Sequence, residues 1–254
     1  MEEIKKIALI TGGSRGLGRD MALRLAEKGN DVLITYNSRA DEAAVVVQAI
    51  QAMGRKAAAL QLDTGNVGSF DAFMSSVKAE LQQTFGTSQF HFLVNNAGFG
   101  LYASFSETTE EQFDSVMNTH FKGVFFLTQK ALPLMSDGGR IINIGSGLDR
   151  FSYAGSAAYG SMKAAVETLS RYMALELGPR RINVNVVAPG AIETDFGGGH
   201  VRDNAELNKM ITERTALGRV GKADDIGGVV AFLCSEDAKW VNGQRIEASG
   251  GIHL

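Results

Sequence analysis

Tyr159 and Lys163 stand four residues apart in the run Tyr159-Gly160-Ser161-Met162-Lys163. On a helix, which the stretch 157–177 suggests, that spacing puts both side chains on one face, one turn apart. A phenol titrates near pH ~10, and a cation beside it favours the phenolate and lowers that value. The pair is therefore a candidate proton donor. The plain alternative is a surface lysine beside a tyrosine at the core edge, since Y-x-x-x-K is common by chance. A second run, Thr11 to Gly18 (TGGSRGLG), sets Gly12, Gly16 and Gly18 directly after the apolar Ile7-Ala8-Leu9-Ile10. Glycines at such a junction let the backbone turn tightly, approach a pyrophosphate and present amides from a helix N-terminus. The spacing is G-x-x-x-G-x-G, not the dinucleotide fingerprint G-x-G-x-x-G, but the physical demands are similar. An ordinary strand-to-helix turn is the alternative there.

The elements that must carry these residues follow from apolar runs and their punctuation. Strands are expected at 7–10, 31–36, 56–62, 90–94, 140–144, 182–187 and 245–248. Helices are expected at 17–28, 41–53, 67–85, 109–135, 157–177 and 224–234. The 109–135 helix opens through Thr108 or Thr109, with Glu110 and Glu111 in its first turn. Residues 190–215 show weak periodicity. Alternation of strand and helix throughout predicts an α/β fold, a doubly wound, mostly seven-stranded parallel sheet of the Rossmann type. No linker, repeat or low-complexity tract divides residues 1–254, so one domain is the simplest reading.

Composition narrows the classes. The 254 residues are 44% hydrophobic, with 30 glycines and 3 prolines, which suits a soluble globular protein with tight turns. A net charge of −3 gives no electrostatic footprint for nucleic acid. The single Cys234 excludes an intrachain disulfide and reads as a buried structural thiol. The start Met1-Glu2-Glu3-Ile4-Lys5-Lys6 lacks the character of a signal peptide, and no apolar run approaches the ~18 residues of a membrane span. The chain reads as cytoplasmic. His91, His120, His200 and His253 show no metal-ligand spacing, so no metal is expected.

The cofactor can be read from the end of the second strand. An NAD site of this kind has an acid there, bonded to the ribose hydroxyls. The chain instead reads Tyr36-Asn37-Ser38-Arg39, and Arg15 lies inside the glycine loop. Two guanidiniums near the adenosine ribose suit a 2′-phosphate and favour NADP(H). Asp41 is the competing acid, but it falls in the first turn of the next helix, where it suits the helix dipole.

TGGSRGLG, then Asn95-Asn96-Ala97-Gly98, then Tyr159-x-x-x-Lys163, then Pro189-Gly190 make a combination that resembles the short-chain dehydrogenase/reductase family over essentially the whole chain. The stretch from Leu217-Gly218-Arg219-Val220-Gly221 through Asn242-Gly243-Gln244 to Gly250-Gly251 is similar to the subgroup that includes 3-oxoacyl-(acyl carrier protein) reductases. The resemblance implies Tyr159 as proton donor and Lys163 as the residue that lowers its pKa and bonds the nicotinamide ribose. It implies Ser146 as hydrogen-bond donor to the substrate oxygen, and Asn118 as the holder of a water linking Lys163 to solvent. It assigns the cofactor to Gly12, Ser14, Arg15, Gly16, Leu17 and Gly18, to Asn37, Ser38 and Arg39, to Asp63, to Asn95, Ala97 and Gly98, and to Pro189, Gly190, Ile192 and Thr194, with Tyr159 and Lys163.

The implied activity is NADPH-dependent reduction of a carbonyl to an alcohol. A 3-oxoacyl-(acyl carrier protein) reductase and a non-catalytic NADP-binding sensor are the alternatives; the intact set Asn118, Ser146, Tyr159 and Lys163 weighs against the sensor. Asp137 stands where carrier-protein reductases tend to be basic, whereas Arg180 matches a basic docking position, and the balance leans to a small-molecule ketone. Glu247-Ala248-Ser249 and Ala223 depart from the family pattern and are read as local turn changes. Ser156 and Ser161 are read as capping or helix-surface groups, and His120 as facing away from Asn118's side of its helix. Tyr153 is read as a pocket wall or as plain packing. The segment at about 193–215 is expected to cover the substrate. The resemblance also implies a homotetramer or homodimer, paired through the helices 109–135 and 157–177 and through 224–234 with the last strand.

Overall fold

The computed structural model describes residues 5–254. Met1 to Ile4, read above as lacking leader character, lie outside the described residues. The strands are β1 Ile7–Ile10, β2 Asp31–Tyr36, β3 Ala57–Gln61, β4 Phe90–Asn95, β5 Met135–Ile144, β6 Asn183–Pro189 and β7 Arg245–Ala248. They form one parallel sheet in the order β3-β2-β1-β4-β5-β6-β7. The helices are α1 Gly16–Glu27, α2 Ala40–Ala52, α3 Phe70–Glu80, α4 Glu110–Met117, α5 Gly123–Ala131, α6 Ala157–Glu176, α7 His200–Asp203, α8 Ala205–Glu213 and α9 Asp224–Leu233.

Both faces of the sheet are covered, and so its central strands are apolar runs without alternation. Met21 and Leu25 of α1, Val46 and Ile50 of α2, and Ile226 and Val230 of α9 pack on one face. Phe70, Phe73 and Val77 of α3, Leu127 and Ala131 of α5, and Ala174 of α6 pack on the other. The chain winds outward from β1 to β3, then returns to β4 on the opposite side of β1. This reversal opens a crevice beyond the carboxyl ends of β1 and β4, where ligands of such sheets bind.

The expected single helix over 109–135 is broken. A capping box joins Thr109 and Gln112 at the start of α4. A wide π turn, Asn118–Lys122, then separates α4 from α5, and a 3₁₀ turn at Leu132–Leu134 ends the run. Tight packing accompanies the break: a Cβ on Gly123 would lie 2.2 Å from the Thr64 carbonyl oxygen. Pro133, which has no amide to donate, ends the helix. β5 begins at Met135, five residues earlier than expected, and its pairing with β4 shifts register between Phe90 and Phe92. The weakly periodic 190–215 stretch holds α7 and α8, preceded by Gly197, Gly198 and Gly199 at φ 60°, 74° and 78°. These helices have a small core of their own, in which Ile211, Val220 and Ile252 pack with Leu207 and Met210.

Candidate active site

A cleft of about 1370 Å³ runs along the carboxyl edge of the sheet. Its floor is the glycine loop, secured from below by Thr11 and Thr35. The Thr11 hydroxyl accepts from the amides of Asn96 (2.9 Å) and Ala97 (3.0 Å), and Thr35 accepts from the Gly12 amide (3.1 Å). Asn96 Nδ2 donates to the carbonyls of Thr11 (2.9 Å) and Gly12 (3.1 Å), which ties the loops after β1 and β4 together. The loop has no room for side chains at two of its glycines: a Cβ on Gly12 would stand 3.0 Å from Ala97 Cα, and one on Gly18 2.1 Å from the Gly12 carbonyl oxygen. α1 starts at Gly16 with no side-chain cap and no acid in its first turn, so its leading amides face the cleft without competition. These features fit a pyrophosphate.

Gly12, Ser14, Arg15, Gly16, Leu17, Gly18, Asn37, Ser38, Arg39, Asp63, Ala97, Gly98, Pro189, Gly190, Ile192 and Thr194 all line this one cleft, as do Ser146, Tyr159 and Lys163. Asn95 does not. It is buried under the loop, donating to Thr128 Oγ1 (3.0 Å) and Asn143 Oδ1 (2.8 Å), because the last residue of β4 alternates into the sheet face. The sequence reading missed Asn96, its neighbour, whose side chain reaches the glycine loop.

Lys163 is buried one helical turn beyond Tyr159, its ammonium 5.5 Å from the Tyr159 ring centroid. It donates to the Ile144 carbonyl at the end of β5 (2.7 Å). Burial brings its pKa down to about 8, and the Asp149 carboxylate pulls the other way. The expected lowering of the Tyr159 pKa by Lys163 is not what the geometry gives. Desolvation in the cleft raises the Tyr159 phenol above its ordinary value, Tyr102 adds to this, and a hydrogen bond with Ser146 opposes it. Ser146 stands just past β5, its hydroxyl accepting from the Leu148 amide at 3.2 Å.

Asn118 does not line the cleft, whereas His120 does. Both residues lie in the π turn, whose angular step differs from that of an α-helix, and the His120 ring, read above as facing elsewhere, is turned into the cleft. His120 is 1% exposed and meets Tyr159 edge-on, ring centroids 5.0 Å apart. Its Nε2 is 2.8 Å from the Phe99 carbonyl oxygen, and its Nδ1 has no hydrogen-bond partner among the described residues. The ring fills the space over Gly98, where a Cβ would come within 2.5 Å of it. Burial and then the Lys163 charge push its pKa down to about 3. A base whose folded pKa is depressed contributes stability above its unfolded value that is lost as pH falls toward the folded one. Between about pH 6.5 and 3 the protein should therefore lose stability, by about 2 kcal/mol from this group at pH ~5. Urea melts at pH 7 and pH 5 should show a smaller drop for His120→Asn than for the parent chain. Equal drops would remove His120 from the acid response.

Ser156 takes the N-cap position of α6 without capping it, and its buried hydroxyl faces the cleft wall with no partner among the described residues. Tyr153 lines the cleft, together with Tyr102, Phe151, Phe196, Leu207 and Met210. Cys234 is buried, and burial lifts its thiol to about 12, which leaves it inert. Among the described residues no group of three or more His, Cys, Asp or Glu is placed to hold a metal.

A family model described as enoyl-(acyl carrier protein) reductase matches residues 12–253. The short-chain dehydrogenase/reductase FrzI of a Cladobotryum species is 35% identical over 254 residues, spanning 98% of this chain and 96% of that one. The chain belongs to the short-chain dehydrogenase/reductase family. Within that family it is 38% identical over 254 residues to the 3-oxoacyl-[acyl-carrier-protein] reductase FabG of Staphylococcus aureus, covering 99% of this chain and 100% of that one. Its fold matches the angucycline C-6 ketoreductase LanV, solved with bound NADP, at TM-score 0.93 and 39% identity, covering 98% of this chain and 96% of LanV. As a short-chain dehydrogenase/reductase, the chain combines a dinucleotide cradle and a Ser–Tyr–Lys group in one crevice. The post-β6 loop closes the cradle from above: Thr194 stands 3.7 Å from where a Gly16 Cβ would be, and Arg15 lies 3.8 Å from Asp195.

Proposed function

We propose that this protein is an NADPH-dependent ketoreductase that reduces a ketone to an alcohol with Tyr159 as proton donor. The observation that carries this reading is the meeting of Ser146, Tyr159 and Lys163 in the same crevice as the glycine cradle. A nicotinamide cofactor, when bound, supplies the hydride. Ser146 and Tyr159 hold the substrate oxygen, stabilise the negative charge that develops there, and Tyr159 gives up its proton to it. Lys163 holds the nicotinamide end of the cofactor. The walls of the cleft exclude water from the reacting carbon. The test is Tyr159→Phe, which should abolish turnover while NADPH still binds.

Arg15 and Arg39 flank the place a ribose 2′-phosphate occupies in this reading. Arg39 is paired with Glu42 (2.7 Å) and Asp41 (3.4 Å), so its guanidinium is held at the start of α2, and Asp41 is engaged rather than free for a ribose. A charge-assisted hydrogen bond to phosphate contributes about 1.5–3 kcal/mol. Arg39→Ala should therefore raise the KM for NADPH by roughly 10- to 100-fold and leave that for NADH within a few-fold. An equal loss for both cofactors in steady-state assays would remove Arg39 from 2′-phosphate recognition.

The substrate we infer is a bulky, flat, apolar ketone, not an acyl chain on a carrier protein. Aromatic side chains at 102, 151, 153 and 196 wall the substrate end. Arg180, the basic position of a carrier-protein reductase, is engaged with Asp137 (2.8 Å) and the carbonyls of Leu132 and Met135. NADPH oxidation should be fastest with bicyclic aromatic ketones such as α-tetralone and slow with acetoacetyl thioesters. Faster turnover of the thioesters would favour the carrier-protein reading.

We also read the protein as a cytoplasmic homotetramer built on one domain, with residues 193–215 covering the substrate. Phe113 on α4, Phe125 on α5, and Tyr172 and Leu175 on α6 are exposed, as are Phe232 on α9 and Trp240. Apolar groups gathered on those two faces support pairing there. No helix among the described residues is long and apolar enough to cross a membrane.

A further inference from the structure

The departure Glu247-Ala248-Ser249 belongs to a charged network behind the catalytic turn. β7 alternates: Ile246 and Ala248 pack into the core under α9, while Arg245 and Glu247 point to the opposite face. There Arg245 lies between β7, α6 and the turn after β5, its side chain 17% exposed, against an Asp149 side chain 2% exposed. It donates to Asp149 Oδ1 through Nη2 (2.6 Å) and through Nε (3.1 Å), and to Glu247 Oε2 through Nη1 (2.9 Å). Its Nε also lies 3.2 Å from Glu167 Oε2 on α6. Its Nη2 further reaches the main-chain carbonyl of Ser146 at 3.3 Å. Glu247 is fixed in turn by Arg150, through Nη2 (2.7 Å) and Nε (2.8 Å), and by Ser249 (2.7 Å). Arg150 also donates to the carbonyls of Ile252 and His253, both residues of the cleft wall.

We propose that Arg245 is the positioning residue for Ser146: gripped by Asp149 and Glu247, it holds the Ser146–Asp149 turn from behind and fixes the serine hydroxyl against Tyr159. The proposal rests on the reading of Ser146 as a ligand of the substrate oxygen. Ser146 stands on a loop, and a loop has no lattice of its own to keep a hydroxyl within the ~0.5 Å that catalysis requires. Gly147, Leu148 and Asp149 follow it in a single 3₁₀ turn. The guanidinium ties both ends of that turn, the Ser146 carbonyl and the Asp149 carboxylate, to a strand of the sheet. A planar fork does this where an ammonium, a single point of charge, does not. The same network ties the turn to the 252–253 wall, so substrate wall and serine are held on one frame.

The test is a cycle of Arg245→Lys, Ser146→Ala and the double variant, followed by NADPH oxidation with α-tetralone or whichever bicyclic aromatic ketone the parent enzyme turns over fastest. Hydrogen exchange of the 146–151 backbone is measured in parallel. Arg245→Lys keeps the charge; Asp149→Asn/Arg245→Gln, which removes both buried charges together, replaces it if the lysine variant folds poorly. We expect kcat to fall roughly 10- to 100-fold with NADPH affinity unchanged within about two-fold, and exchange at 147–151 to rise roughly 10-fold or more. In the Ser146→Ala background the same change should cost nothing further, because the residue acts through the serine. Parental kcat in both Arg245 variants, or losses that multiply in the two backgrounds, overturn the proposal. An active Ser146→Ala enzyme would overturn the reading of Ser146 first, and this proposal with it; the two failures are thereby told apart.

Discussion

Tyr159→Phe is expected to lose about 10²- to 10⁴-fold in turnover while NADPH still binds. The substitution removes one oxygen and keeps the ring. The ring is held by His120 edge-on at 5.0 Å and by Phe196 at 5.9 Å, contacts that phenylalanine retains. The fold and the cradle are therefore preserved, and the loss falls on the proton and on one of two donors to the substrate oxygen. Steady-state NADPH oxidation measures the first effect, and nucleotide fluorescence titration measures the second. Full activity in the variant would falsify the assignment of Tyr159. Loss of NADPH binding along with activity would instead mean that the ring supports the cradle, and the proton role would need another donor.

Gly18→Ala is the second large effect, and it acts on the cradle. The added methyl would stand 2.1 Å from the Gly12 carbonyl oxygen, 2.6 Å from Asn96 Nδ2 and 2.9 Å from Gly12 C. Two of these are backbone atoms, and the third is the end of the Asn96 side chain, held by its bonds to the Thr11 and Gly12 carbonyls. The Gly12 peptide is pinned by Thr35 and by Asn96, and Asn96 holds the loop after β4. α1 must move away from the loop, which costs about 1–3 kcal/mol in overpacking. The melting temperature should fall by roughly 2–4 °C per kcal/mol in a chain of this size. NADPH affinity should drop roughly 10-fold or more, because the leading amides of α1 leave the pyrophosphate. Gly178→Ala is the control: nothing lies within 4 Å of its would-be Cβ, so stability and affinity should stay near the parent values. Equal effects at both positions would show that backbone entropy, not the close approach at Gly18, decides the outcome.

Much of the fold was readable because its signals are local. The runs 7–10 and 32–34 are apolar without alternation, which identifies strands covered on both faces, and a glycine loop followed by a helix placed the cradle at a strand end. Boundaries slipped where tertiary packing overrode local pattern. The apolar run over 109–135 reads as one helix, yet close approach at Gly123 and the proline at 133 divide it. The 190–215 stretch reads as irregular because each of its short helices shows only one or two turns of periodicity.

The order of strands and helices and the turns between them determined by themselves that the glycine loop 12–18 and Ser146 stand at strand ends and that Tyr159 and Lys163 share one helix face, because a strand end and one helical turn are short-range geometry. Only the tertiary structure decided how those groups are poised. It put His120 edge-on to Tyr159, since the π turn in which it lies steps its side chains at a different angle from an α-helix. It set Asn96 rather than Asn95 against the glycine loop, since strand alternation continues to the last residue of β4. It paired Arg180 with Asp137, and Arg245 with Asp149 across the sheet, 43 and 96 residues apart in the chain. It reversed the expected shift of the Tyr159 phenol, because burial is a property of everything that surrounds a group, and spacing along the chain carries no record of it.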